Sequence, residues 1–395
     1  MLATMAENET LDYENVYKKS AKRFMHKEYL LLGGGPINCS DRVLKAISMQ
    51  TLNPLSVDMH QLMDEIKEMT QYLFQTKNRL TLVSQTSGSG GNETIITNLL
   101  DRGDKLVIAI GGTWGERVLD MALRYEYDVL PLTKPPGEVY TLEELENAVK
   151  SHKAKLLFVT HGESTGGILQ KLEGLGPMCH KYGCLLGVDA VVSIAVDPLF
   201  VDRWEIDAVN AGTQKAIGAP PGMCLLTFSP RAEQRMREKK MKPPYYFDML
   251  RQGIYFDCFG DHTRMFHYTF SSNMLSAVRE ALAQICEEGL LEIWARHKRN
   301  VEYFWKRLDE IGYTCFVKKR ENRFHGVTGV NVPEGISQRE LIKFAKDKYD
   351  IEIAPGFGPT LNKAMRLGLM GTNSRPEMAD YLIEALKDGL QHLKK

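Results

Sequence analysis

The chain carries no excess charge of either sign. Its 395 residues hold 50 Lys+Arg and 50 Asp+Glu, so it lacks the one-sided positive field that nucleic-acid and polybasic membrane binding require. It also lacks a long apolar run. The most apolar stretch, residues 185–196, is broken by Asp189, whereas a membrane-spanning helix needs about 20 consecutive apolar residues. None of the seven cysteines (Cys39, Cys179, Cys184, Cys224, Cys258, Cys286 and Cys315) forms a CxxC pair. That spacing suggests neither a zinc site nor a thioredoxin-like motif, and free thiols in a reducing compartment are expected. Internal repeats and low-complexity segments are absent as well. The opening MLATMAENETLDYEN resembles neither a signal peptide nor an Arg-rich transit peptide. Cytosol is therefore the default expectation, with the basic end HLKK leaving a weak peroxisomal signal open.

What is present suits a globular protein of two domains. Hydrophobic residues make up 43% and charged residues 25% of the chain, and its length exceeds one ordinary domain. Residues 1–27 are polar and read as an arm. Residues 28–288 read as a large α/β domain and 289–395 as a smaller α+β domain. Strands are expected at Leu80–Val83, Lys105–Ile110, Asp128–Leu132, Lys155–Thr160, Cys184–Asp189, Ala208–Ala211 and Cys224–Phe228. Several are continuously apolar, as strands buried on both faces are. Helical patterns lie between them, with start signals at Ser40-Asp41 and in the capping box Thr141-Leu142-Glu143-Glu144. Alternation of this kind predicts a mainly parallel sheet covered by helices. In the C-terminal part, strands are expected near 327–332 and 351–353, and capping boxes at Ser337–Glu340 and Ser374–Glu377.

The chemistry concentrates between residues 184 and 222. Asp189 ends an apolar strand, where open α/β sheets place ligand-contacting residues. A second strand leads into Thr213-Gln214-Lys215, followed by small residues and prolines up to Gly222. A lysine in that setting has neither a helical nor a surface role. A buried Asp–Lys ion pair is the commoner explanation of two such residues alone. The alternative is cofactor chemistry: a lysine joins pyridoxal phosphate as a Schiff base, and an aspartate keeps the pyridine nitrogen protonated.

Three neighbouring motifs favour the cofactor. Ser87-Gly88-Ser89-Gly90-Gly91-Asn92-Glu93 sits between a strand and a helix, where backbone N–H groups can meet a phosphate. It is not a dinucleotide fingerprint, because Glu93 stands where the last glycine should be. Trp114 follows another strand and can stack on a flat ring. Thr160-His161-Gly162-Glu163-Ser164-Thr165-Gly166 ends a third strand with polar side chains.

With these residues and Met63–Lys67, Phe74-Gln75-Thr76, Ala219-Pro220-Pro221-Gly222 and Arg366-Leu367-Gly368, the chain resembles the alanine–glyoxylate / serine–pyruvate aminotransferases. These are class V pyridoxal-phosphate enzymes whose relatives include 3-hydroxykynurenine transaminases. The resemblance runs from about Tyr29 to near the C-terminus. It implies an aspartate-aminotransferase-like, fold type I large domain, and a homodimer with shared active sites. It implies Lys215 as the Schiff-base lysine and Asp189 as partner of the ring nitrogen. Trp114 would stack on the ring, and Ser89, Gly90, Gly91 and Gln214 would hold the phosphate with Thr269 from the neighbouring subunit. Arg366 would clamp the substrate carboxylate, helped by Ser164 and Gly35. The implied reaction moves an amino group from alanine or serine to glyoxylate or another 2-oxo acid. Alternatives are 3-hydroxykynurenine as donor, or a non-catalytic member with an altered phosphate cup. Departures from the family pattern stand at Gly91-Asn92, where relatives have a His, at Phe266, where they have a Tyr, at Gly33–Pro36 and at Asn53-Pro54.

Overall fold

The computed structural model describes residues 21–260 and 264–394. The expected arm over 1–27 lies outside the described residues up to residue 20, and residues 21–28 run exposed without regular structure.

The seven expected strands form one sheet: β1 (Leu80–Ser84), β2 (Lys105–Ile110), β3 (Asp128–Thr133), β4 (Leu156–Thr160), β5 (Leu185–Asp189), β6 (Ala208–Gly212) and β7 (Cys224–Phe228). Their order is β1-β7-β6-β5-β4-β2-β3. All neighbours are parallel except β7, which is antiparallel to both β1 and β6. Strands β1, β4, β6 and β7 are buried along their whole length, the result of helices covering both faces. Register decides what meets at the sheet edge. Thr160 pairs with Asp189, and Asp189 with Asn210, so three polar side chains stand abreast at the C-terminal ends of β4 and β5 and beside them on β6.

The Thr141 capping box forms as expected, with Glu144 Oε2 accepting from Thr141 N at 2.8 Å and Thr141 Oγ1 from Glu144 N at 3.2 Å. The expected box at Ser374 does not form. The helix Pro376–Leu393 starts one residue later, with Arg375 as N-cap and no side-chain cap. Ser374 turns inward instead, its carbonyl accepting from Asn300 Nδ2 at 2.7 Å. Pro376 at the first helical position supplies the start signal, since its missing N–H costs nothing there.

A second sheet joins β8 (Val327–Asn331), β9 (Ala354–Pro355) and β10 (Ala364–Gly368) in the order β8-β10-β9. The expected strand at 351–353 shortens to Ile351–Glu352 and pairs in parallel with Leu30–Leu31 rather than joining that sheet. Apolar side chains gather in two cores. One surrounds the seven-stranded sheet. The other holds Leu32, the C-terminal sheet and its helices. The helix Leu290–Glu310 contributes Leu290 and Ile293 to the first core and Val301, Phe304 and Leu308 to the second. No described helix is long and apolar enough to cross a membrane.

Candidate active site

The C-terminal edge of the sheet opens into a cavity lined by Ser87, Ser89, Asn92, Trp114, Ser164, Asp189, Gln214 and Lys215, among others. They come from two helix starts and three strand ends: Ser87, Ser89 and Asn92 from one helix start, Trp114 from another, and Ser164, Asp189 and the pair Gln214-Lys215 from the ends of β4, β5 and β6. The loop after β6 is closed on itself, with Thr213 Oγ1 donating to Pro220 O at 2.7 Å and Ala219 N to Thr213 O at 3.0 Å. This fixes Lys215 at the cavity wall, 8% exposed. Its Nζ donates to Gly34 O at 2.5 Å. Gly35, at φ +90°, packs so closely that a Cβ there would lie 2.5 Å from Nζ, which only glycine tolerates. Burial, then the Arg366 charge, lowers the Lys215 amine to about 8, against the opposing pull of Asp189.

Asp189 lies deeper. Its Oδ1 accepts from Val191 N at 2.9 Å and its Oδ2 from Asn92 Nδ2 at 2.8 Å. Burial raises its carboxyl, opposed by these two hydrogen bonds and by Lys215. Trp114 opens the helix Thr113–Arg124, and its Nε1 donates to Ser164 Oγ at 2.8 Å. Glu163 ties this helix start to the β4 turn, accepting from Trp114 N at 3.2 Å and Thr165 N at 2.8 Å. Burial pushes Glu163 up to about 7.

The helix Gly88–Leu99 starts at the cavity with Ser87 as its N-cap. Ser87 Oγ accepts from Gly90 N at 3.3 Å, and Ser87 O from Gly91 N at 2.9 Å. The N–H groups of Gly88 and Ser89, first in the helix, have no acceptor within it and face the anion-attracting end of the dipole. Gly91 turns toward Asn210 and Cys224, behind the cavity. Gln214 Oε1 and Thr160 Oγ1 are buried without a hydrogen-bond partner among the described residues.

Arg366, on β10, reaches the same region. Its guanidinium lies within 3.0 Å of where a Gly34 Cβ would stand, and its Nε donates to Pro355 O at 2.9 Å. Thr269 is exposed and is not among the cavity-lining residues, and Phe266 is exposed too, its ring 5.8 Å from that of Tyr255. Several participants escaped the sequence reading. Asn210 and Val191 showed no signal beyond their places next to the Asp189 strand. Arg117 could have been found: three residues after Trp114 on one helix, its guanidinium lies 4.8 Å from the indole.

A family model described as "Aminotransferase class-V" matches residues 43–378. The chain belongs to the class-V aminotransferases. This aminotransferase is 42% identical over 367 residues to the alanine--glyoxylate aminotransferase of Rattus norvegicus, covering 93% of this chain and 88% of that protein. It is 38% identical over 366 residues to that of Drosophila melanogaster, covering 92% and 93%. A solved structure of alanine--glyoxylate aminotransferase from Nostoc sp. superposes with a TM-score of 0.91 at 37% identity, covering 94% and 98%. The protein is a transaminase, and its cofactor is pyridoxal phosphate. The cavity fits that group: it offers a buried amine, a buried carboxylate, an indole, a helix N-terminus for the phosphate, and the unpartnered Gln214 and Thr160 oxygens.

Proposed function

We propose that this aminotransferase moves an amino group from a small L-amino acid, alanine or serine, to glyoxylate or another 2-oxo acid. The observation that carries the reading is Lys215, a buried amine drawn down to about 8 and facing Asp189 in one cavity, beside the names of the relatives. Pyridoxal phosphate, when bound, supplies an electron sink that acidifies the α-hydrogen of an attached amino acid. Asp189 holds the proton of its ring nitrogen. Ser89, Gly90, Gly91 and Gln214 with the start of the Gly88–Leu99 helix are assigned to its phosphate, Gly90 and Gly91 by shaping the turn, since their N–H groups are already bonded to Ser87. The Trp114 indole, its orientation held by Ser164, covers the ring face.

Lys215 Nζ takes the proton from the substrate α-carbon, since an amine lowered to about 8 keeps a larger neutral fraction near pH 7 than an ordinary lysine does. Arg366 receives the α-carboxylate, its two N–H groups matching the two oxygens. Gly35 leaves room for Lys215 Nζ, and its neighbour Gly34 for the guanidinium. The active unit in this reading is a homodimer in which Thr269, exposed in one subunit, completes the phosphate site of the other. Phe266 removes one hydroxyl contact from that site. The unpaired cysteines suit a reducing compartment, and we assign the enzyme to the cytosol or peroxisome.

The test is the visible spectrum of the purified protein with added pyridoxal phosphate, then L-alanine, then glyoxylate. A cofactor band that bleaches with alanine and returns with glyoxylate is the expected result. A band that alanine leaves untouched moves the donor to another amino acid, such as 3-hydroxykynurenine. No band at all overturns the reading.

A further inference from the structure

The amide of Asn92 stands in a hydrogen-bond chain whose direction is set at its far end. Asn210 Nδ2 lies 2.9 Å from Gly88 O, and a backbone carbonyl can only accept, so this end of Asn210 must be its NH2 group. The same nitrogen lies 2.9 Å from Asn92 Oδ1, which orients the second amide. Asn92 Nδ2 must then face Asp189 Oδ2, at 2.8 Å. The chain delivers a donor to Asp189 and nothing else, so that oxygen meets it only with a lone pair. Asn92 and Asn210 are 4% and 0% exposed, so water does not compete for these bonds.

Space for the chain comes from Gly91. A Cβ at that position would fall 2.5 Å from Asn210 Nδ2 and 2.4 Å from Cys224 Sγ, closer than atoms can sit. Gly91 and Asn92 are also adjacent departures from the family pattern, and here they serve one arrangement. The charged and titratable groups that face Asp189 are Lys215 from the loop after β6, Glu163 from the β4 turn and the Cys224 thiol from β7. None of them donates a hydrogen bond to its carboxylate; Asn92 and Val191 N do.

We propose that Asn92, oriented by Asn210 in the space Gly91 leaves open, is a positioning residue that keeps Asp189 ionised toward the cofactor. The proposal rests on the assignment of Asp189 to the cofactor's ring nitrogen. Without the donor, Asp189 becomes a better proton acceptor and draws the proton off the ring nitrogen. A ring without that charge withdraws less electron density, and the chromophore keeps its own proton to higher pH.

The experiment is a pH titration of the visible band of the holoprotein, for wild type, Asn92→Leu, Asn210→Leu and the double variant. Asn92→Leu should raise the midpoint by about one pH unit, the scale of one lost hydrogen bond to a charge. Asn210→Leu should raise it by less, and the double variant no further than Asn92→Leu, because Asn210 acts through Asn92. An unmoved midpoint in Asn92→Leu, with the wild-type thermal midpoint retained, overturns the proposal. If that variant fails to fold, Asn210→Leu decides, by its smaller upward shift or by an unmoved midpoint with the wild-type thermal midpoint retained. A wild-type protein without a band fails the Asp189 assignment first, and the proposal with it.

Discussion

Lys215 buries an amine that in water would be charged. Its folded value of about 8 lies below the ordinary 10.5, so the unfolded chain binds the proton more tightly than the folded one. The amine's contribution to stability is complete above pH 10.5 and is lost as pH falls through about 8, a difference on the order of 3 kcal/mol. We therefore expect the apoprotein variant Lys215→Met to be more stable than wild type at pH 7, with the gap closing above pH 10, as denaturant unfolding across that range would record. Transamination should vanish in the same variant. Arg366→Leu should raise KM for L-alanine about 10- to 100-fold, the scale of losing a charge-assisted pair, measured by steady-state kinetics; an unchanged KM would remove Arg366 from the carboxylate site. Lys215 and Asp189 were picked out in the sequence by the motifs around them, since two such residues alone read more readily as an ion pair. Asn210 was not. An asparagine inside AVNAG shows the same pattern whether it lies idle or orients another amide.

Among the elements, the start of the Thr113–Arg124 helix is held by the Glu163 carboxylate together with Thr165 Oγ1, which accepts from Thr113 N at 3.2 Å. Glu163 accepts from both Trp114 N and Thr165 N, joining the helix to the β4 turn. Burial raises Glu163 from 4.5 to about 7, so here the folded state binds the proton more tightly. The associated stability is present below pH 4.5 and is lost as pH rises through about 7. Glu163→Gln cannot ionise. Its unfolding free energy relative to wild type should therefore rise by up to about 3 kcal/mol between pH 4.5 and pH 7, and parallel pH profiles would refute this. The strands were readable because each is a short run of apolar residues between turn residues. The reversal of β7 was not, since a buried strand has the same composition whichever way it runs. The late start of the Pro376–Leu393 helix misled for a related reason: Ser374 and Glu377 have the spacing of a capping box, while the backbone at Ser374 is already committed to Asn300 and Arg296.

For the molecule as a whole, the proposed homodimer with shared sites would make activity depend on assembly. Thr269 is exposed in one chain, so dilution below the dimer's dissociation constant should release cofactor and activity together, followed by light scattering and the visible band. Loss of activity with no change in mass would separate the two. The helix Leu290–Glu310 sets a further condition. Its 21 residues make a rod about 30 Å long, anchored at one end in the large core and at the other in the small one. A stiff rod gripped at both ends sets the spacing between the two cores. Because Arg366 lies on β10 against the small core and Lys215 on the loop beside the large one, the gap between guanidinium and amine spans the same junction as the helix. In the proposed reading, the reach from amine to carboxylate clamp is measured out by the length of one helix.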